Sequence, residues 1–443
     1  MSKSIYVFAF LVMAAAGCTS SKETDYQKTV HDPLLYCKTV KKLNDIVLEN
    51  NFPPMIAARN YTYANIAAYE VISAGDSSYN SLSGQVKDMP AMPKPPAGAK
   101  IDYPLAAMLA FTKVGNAVTF PEGSMMEYYD HLKHIADSSG MSEEMINASA
   151  AYADTVSSAV LTWSKKDNYA PTRSATKYTV SNEDGRWIPT PPAYSQALEP
   201  HWMEIRTFVL DSASQCKPVA PPPFNMKDTT SRFYRLTIEV KNRVDSLNDE
   251  QKHIADFWDD NPFKLNVSGH VMFGTKKFSP AGHWMNIVGI AAEKKQADFN
   301  TTVYAYTKTA VAIFDGFISC WEEKFRSNRI RPETVIDKYI DPNWRPYIQT
   351  PPFPAYTSGH SVISGAAAEV MTDIFGDNFA YRDTSELEFG INHRNFTSFR
   401  QAALEASVSR LYGGIHYRDD LDMGNLQGKA VGTLVVTRLK MKK

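Results

Sequence analysis

At 443 residues the chain is long enough for two domains, or for one large helical unit built from two halves. Its hydrophobic content of 44% and charged content of 21% are those of an ordinary globular protein. A net charge of -1 gives no global field to draw it to nucleic acid, so any anion binding must be built locally.

The chain opens with Lys3, the apolar run from Ile5 to Met13, and Ala14-Ala15-Ala16-Gly17-Cys18 before polar Thr19. This reads as a signal peptide over residues 1–18, because its apolar core falls far short of the ~20 residues a membrane-crossing helix needs. The Ala-Ala-Gly-Cys ending resembles the lipobox of bacterial lipoproteins. That likeness implies cleavage before Cys18 and lipidation of its thiol; simple secretion is the alternative. The expected location is outside the cytoplasm, lipid-anchored to the bacterial envelope, with the outer membrane first, or secreted. The lipid is then the membrane contact. Cys37, Cys216 and Cys320 remain, too far apart for a disulfide framework or a CxxC zinc site.

A polar tether covers residues 19–31. Helical patterns follow over Asp32 to Asn50, Pro53 to Ala74, Tyr103 to Val118, Met125 to Ser138 and Glu143 to Lys165. From Asn168 to Asn225 the prolines of Trp187-Ile188-Pro189-Thr190-Pro191-Pro192 and Pro221-Pro222-Pro223 forbid continuous helix. The apolar residues of this crossing segment suit packing over the core. Helices return from Arg232, at Asp249 to Trp258, His283 to Lys295, Thr301 to Arg326, His360 to Phe375, Ser398 to Leu411 and Asn425 to Leu439. Gly428 and Gly432, four apart, allow the last helix to approach a neighbour closely. Strand alternation is scarce, so the class is mainly α: two packed helical bundles, residues 32–225 and 226–443, the second carrying the site.

Three short patterns carry chemistry. Lys324 and Arg331-Pro332 are two helical turns apart, so both cations fall on nearly the same side, with the proline ending that helix. Pro351-Pro352-Phe353-Pro354-Ala355-Tyr356-Thr357-Ser358-Gly359-His360 leads into an apolar-periodic helix whose N-terminus, with Ser358 as cap, is suited to an anion. Ser409-Arg410 and His416, then Asp420, put a guanidinium, an imidazole and a carboxylate within twelve residues. Each pattern alone also fits a capped or solvated helix end.

Taken in order, Lys-x6-Arg-Pro, Ser-Gly-His and Ser-Arg-x5-His-x3-Asp resemble the signature of the type 2 phosphatidic acid phosphatase and vanadium-dependent haloperoxidase superfamily. The resemblance implies a cage for vanadate, or for phosphate when vanadate is absent: Lys324, Arg331 and Arg410 give charge, Ser358 and Gly359 give neutral donors, and His416 is the metal ligand. Asp420 would fix the tautomer of His416, and His360 would be the acid-base partner. Phe257-Trp258-Asp259-Asp260-Asn261-Pro262, Ala281-Gly282-His283-Trp284 and the Pro-Phe-Pro-Ala-Tyr run are similar to segments of bacterial vanadium haloperoxidases, most of all the iodoperoxidases of marine flavobacteria. By that likeness Asp260 pairs with Arg410, and Trp321 and Phe353 line a halide pocket. Trp258, His283 and Trp284 read as packing residues. Thr357 departs from the family's usual proline.

Three functions follow from this. The first is a haloperoxidase using hydrogen peroxide to oxidise halide, iodide before bromide, with hypohalous acid passing to a diffusible organic acceptor and Lys324 polarising the peroxide. Algal bromoperoxidases have a histidine near Phe353; its absence leans away from them. The second is an exported acid phosphatase with His416 as nucleophile. The third is a non-catalytic oxyanion-binding lipoprotein.

Overall fold

The computed structural model describes residues 25–119, 124–262, 264–268 and 271–443. The signal peptide and Cys18 lie outside the described residues. Seven helices occupy the first half: α1 (Asp25–Val30), α2 (Pro33–Glu49), α3 (Pro54–Gly75), α4 (Tyr103–Val118), α5 (Ser124–Ser138), α6 (Glu143–Ser164) and the single turn α7 (Tyr169–Thr172). Eight occupy the second: α8 (Arg232–Asp245), α9 (Asp249–Phe257), α10 (Pro280–Lys295), α11 (Phe299–Ser327), α12 (Pro332–Tyr339), α13 (Gly359–Phe375), α14 (Phe399–Tyr412) and α15 (Arg418–Arg438). The described residues also form single 3-10 turns at Trp202–Glu204 and Leu387–Phe389 and two antiparallel strand pairs, β1 (Lys264–Ser268) with β2 (Val271–Thr275), and β3 (Tyr381–Asp383) with β4 (Arg394–Phe396).

The ends of most helices follow from local chemistry. Asp32, Asp102, Ser142, Ser231, Asn248, Ser279, Asp298, Ser358 and Ser398 each cap a helix by accepting a backbone N–H two or three residues on. α11 ends at Ser327 because Asn328 turns left-handed at φ 48°. Pro332 does not end that helix, as its sequence suggests. It starts α12 at the first helical position, where a missing N–H costs nothing. Lys324 and Arg331 therefore do not share a helix face: α11 breaks at Asn328 and Arg331 caps α12, close enough for its charge to act on Lys324. The span 19–31 is also not all tether, since α1 begins at Asp25.

Apolar burial is continuous across both halves. One cluster of buried side chains runs from Tyr26 to Met441, with α11 packed against α3 on one side and α13 on the other. The crossing segment closes over this core: Trp187 and Trp202 are fully buried, and Leu198 N–H donates to the Pro352 carbonyl at 2.9 Å. Fully buried Asp315 of α11 ties it down by accepting the N–H groups of Phe208, Val209 and Leu210 at 2.7, 2.7 and 3.0 Å. Cys37, Cys216 and Cys320 are free thiols. Among the described residues no helix is long and apolar enough to cross a membrane.

α13 and α15 meet along small residues, and this contact positions the site. A Cβ on Gly428 would sit 2.2 Å from the Val362 carbonyl oxygen, and one on Gly432 would sit 2.7 Å from that of Ala366. The four-residue glycine spacing is thus a backbone-to-backbone approach. Gln427 reinforces it, donating to Ser319 of α11 and accepting from the Thr357 hydroxyl at 2.6 Å.

Candidate active site

Lys324 is fully buried near the end of α11 and spends its ammonium donors on the carbonyls of Pro354, Ala355 and Thr357 at 2.9, 3.1 and 2.6 Å. Burial, with the Arg331 charge beside it, pulls its pKa down to about 7. Arg331, at the cap of α12, donates to the carbonyls of Phe353 and Ile415, each at 2.8 Å, and places Nη1 3.1 Å from His416 Nε2. Burial lowers it to about 9, and its Nη2 has no hydrogen-bond partner among the described residues.

His416 follows the Gly413-Gly414 turn, and Asp420 sits in the first turn of α15. The Asp420 carboxylate lies 3.0 Å from His416 Nδ1 and accepts the Tyr417 N–H at 3.0 Å. A guanidinium only donates, so Nε2 must be the accepting nitrogen and Nδ1 must carry the proton toward Asp420. Burial, then the charges of Arg331, Lys324 and Arg410, holds the ring well below its usual pKa and keeps it neutral. A neutral imidazole with its Nε2 lone pair among three cations is a nucleophile or an electrophile's ligand.

Ser358 caps α13, and its own N–H donates to the Asp420 carbonyl at 3.0 Å, joining the second and third sequence patterns directly. Gly359 leaves room, since a Cβ there would meet only Trp321, at 3.9 Å. His360 Nε2 stands 3.4 Å from Asp260 Oδ2, and burial followed by the Arg410 charge lowers the ring to about 4. Arg410 donates to Ser409 Oγ at 2.9 Å and to the carbonyls of Asp259 and Trp258. Burial brings it to about 10.

Two expectations need correction. Asp260 does not pair directly with Arg410, whose donors go to backbone carbonyls and a hydroxyl; its carboxylate bonds His283 Nδ1 at 2.8 Å and faces His360. His283 is not merely packed, for it also reaches Asp383 at 3.0 Å. The pattern reading further missed Arg329, a buried cation that donates to Asp419 at 2.8 Å and to Asp420 at 2.6 Å. Its alternation with Arg331, both flanking Ile330, is the sequence signal for a second inward-facing arginine.

A cavity of about 320 Å³ opens over the cage, with Gly359, His360, Arg410 and His416 in its lining. Its wall includes Phe353 and Trp321, whose rings meet at 5.0 Å, and Leu198 of the crossing segment accepts from the Trp321 indole at 3.2 Å. The Phe353 ring lies 5.0 Å from both Lys324 Nζ and the Arg331 guanidinium. The electron-rich face offsets part of the cost of burying two cations. Three convergent buried cations, a helix N-terminus and a neutral imidazole make a receptor for a compact oxyanion.

A family model, the VCPO second helical-bundle domain, matches residues 304–442, which contain every residue of the three patterns. Among solved structures, a bacterial vanadium-dependent iodoperoxidase is 44% identical, with a TM-score of 0.88 over 93% of this chain and 97% of that one. The holo form of a bacterial vanadium-dependent chloroperoxidase has 14% identity and a TM-score of 0.65 over 88% of this chain and 92% of that one. The apo form of such a chloroperoxidase has 16% identity and the same TM-score, over 87% and 95%. At those identities the chloroperoxidases show the shared fold. No curated protein matches the chain.

Proposed function

The chain belongs to the vanadium-dependent haloperoxidase family, and from that membership we propose that it oxidises iodide with hydrogen peroxide on vanadate held at His416. The observation that carries this reading is His416 itself. Its Nε2 lone pair faces Arg331, its Nδ1 proton is held by Asp420, and the Arg331 Nη2 is buried without a hydrogen-bond partner among the described residues. Those residues fit a tetrahedral oxyanion. Lys324, Arg331 and Arg410 would neutralise it, Ser358, Gly359 and His360 would bond its oxygens, and His416 would ligate the vanadium. When bound, the vanadate is the Lewis acid that activates peroxide toward halide.

The protein's own groups supply the rest. Asp420 keeps His416 in the ligating tautomer, and Arg329 keeps Asp420 in place. Lys324, immobilised by three carbonyls, would supply a held charge that polarises the bound oxygens. His360 is neutral at ordinary pH and takes a proton at its ring nitrogen as peroxide is delivered. Phe353 and Trp321 keep water from the halide's approach, and their polarisable faces favour the largest, softest halide. Iodide also agrees with the iodoperoxidase likeness. Export and attachment through Cys18 belong to the same proposal, supported by the apolar run and its Ala-Ala-Gly-Cys ending. A diffusible organic acceptor would receive the hypohalous acid.

One assay set tests the reaction. Protein lacking residues 1–18 is incubated with orthovanadate and followed for triiodide formation from iodide and peroxide, beside p-nitrophenyl phosphate hydrolysis. Vanadate-dependent triiodide that disappears in His416→Ala is the expected result; phosphate hydrolysis without halide oxidation would overturn it. Phe353→His is expected to change the ratio of iodide to bromide kcat/KM by about tenfold or more while the enzyme stays active. An unchanged ratio would remove Phe353 from halide choice.

A further inference from the structure

Behind His360 the fold buries a second ionic cluster. His283 of α10 is fully buried between Asp260, on the loop after α9, and Asp383 of β3, with contacts of 2.8 Å at Nδ1 and 3.0 Å at Nε2. Glu386, also fully buried, places Oε1 3.9 Å from the same Nδ1. The Trp258 ring stacks on the imidazole at 4.5 Å and 21°.

Each ring nitrogen of His283 faces a carboxylate at hydrogen-bond distance, and an ionised carboxylate only accepts, so against two such groups each nitrogen carries a proton. The imidazole is then an imidazolium, and the stacked indole face suits a cation. Burial alone would favour the neutral ring, but the charges of Asp260 and Asp383 win and raise its pKa. Burial opposes ionisation of Asp260 as well, yet the His283 charge and its hydrogen bond, with His360 facing the carboxylate, hold it ionised. Glu386 takes the opposite state: burial pushes it up to about 8, and neither of its oxygens has a hydrogen-bond partner among the described residues. Asp260, His283 and Glu386 also have the composition of a divalent-metal site. Metal ligation would need a lone pair on a His283 nitrogen, and the close carboxylates engage both.

We infer that His283 is a positioning residue: a permanently charged imidazolium, clamped by Asp383, that fixes the Asp260 carboxylate against His360 and so sets the orientation of the site's acid-base group. This rests on the proposed role of His360, but the structural half of the inference stands apart from any activity. Lys277, near Glu386, is the further charge close to the cluster, and Arg410 faces it from α14.

Two experiments separate the possibilities. In the vanadate-free wild type, 15N-histidine NMR should show one ring doubly protonated throughout pH 5 to 9, absent in His283→Gln. A His283 ring that is neutral at pH 7 would overturn the inference. So would elemental analysis finding one equivalent of a divalent metal that the His283→Gln protein lacks. A double-mutant cycle then tests the route to the site. With vanadate bound, His283→Gln and the gentler Asp383→Asn should each lower kcat by about tenfold with little change in iodide KM. Neither should lower it further in a His360→Ala background. Equal losses with and without His360 would show that His283 does not act through it. Asp383→Asn keeps an acceptor for the His283 Nε2 proton, so the cycle remains readable should His283→Gln fail to fold.

Discussion

Lys324 shows how the cage stores its affinity for anions. In the unfolded chain a lysine is charged up to its ordinary value of 10.5, whereas here burial and Arg331 bring it to about 7. Between those values the unfolded chain binds the extra proton, so this group makes the anion-free protein more stable as pH rises from about 7 to 10.5. Anion binding reverses the preference, because a bound oxyanion favours charged Lys324. Sulfate, which does not itself titrate in this range, is therefore expected to bind more weakly as pH rises above about 7, with uptake of a proton. Isothermal titration at pH 8.5 in buffers of different ionisation heat would read that proton, and Lys324→Met should abolish it. Arg329 is the structural counterpart. Replacing it with methionine leaves the buried carboxylates of Asp419 and Asp420 without their shared partner. A loss of about 3–5 kcal/mol in urea unfolding is expected, with reduced activity because His416 loses its fixed support. A stability change under 1 kcal/mol would contradict the reading of Arg329 as the clamp of Asp420.

At the scale of elements, the α13–α15 contact carries the Ser358-Gly359-His360 turn to His416. Gly428→Leu must push the Val362 carbonyl away, since even its Cβ would lie 2.2 Å from that oxygen. A destabilisation of at least about 1–3 kcal/mol is expected, together with weaker vanadate binding. Gly115→Ala in α4 is the control: its Cβ would meet Leu43 at 3.4 Å, and thermal unfolding should show it neutral or slightly stabilised. The same helices show what a sequence reader can see. Gly428 and Gly432 declared close packing because a four-residue glycine spacing has few other uses in an apolar helix. Ser358 declared its helix as a cap, and the patterns starting at Asp32 and Ser398 began on the residues that cap them. Pro332 misled, because proline suits a helix start as well as it blocks a helix interior, and only Asn328 turning left-handed decides which applies. α15 begins at Arg418, seven residues before its apolar pattern, because Asp419 and Asp420 open its first turn with polar groups turned to Arg329 and His416. The cage's catalytic side chains were legible as spaced motifs. Arg329 left only its alternation with Arg331 as a trace, and Asp383 and Glu386 left none, since nothing local marks a charge whose counterion lies some 100 residues away.

At the scale of the molecule, the two halves identified from the break in helical pattern do not have separate interiors. α11 lends one side to α3 and the other to α13, and one buried cluster takes in residues from α1 to the C-terminal strand-like tail. The crossing segment is bound from both directions, by Asp315 through three backbone N–H groups and by Pro352 through Leu198. This same segment supplies Ser195, Gln196 and Leu198 to the cavity wall, so the first half of the chain helps close a site whose charges come from the second. A piece spanning 226–443 would expose the apolar faces of α10 and α11 that α2 and α3 cover, and it would lose that wall. The protein without residues 1–18 is therefore expected to unfold in one calorimetric transition with equal van't Hoff and calorimetric enthalpies, while 226–443 expressed alone should show no cooperative transition. Two resolved transitions, or a cooperative fold in the isolated half, would mean that the continuous apolar interior does not couple the bundles.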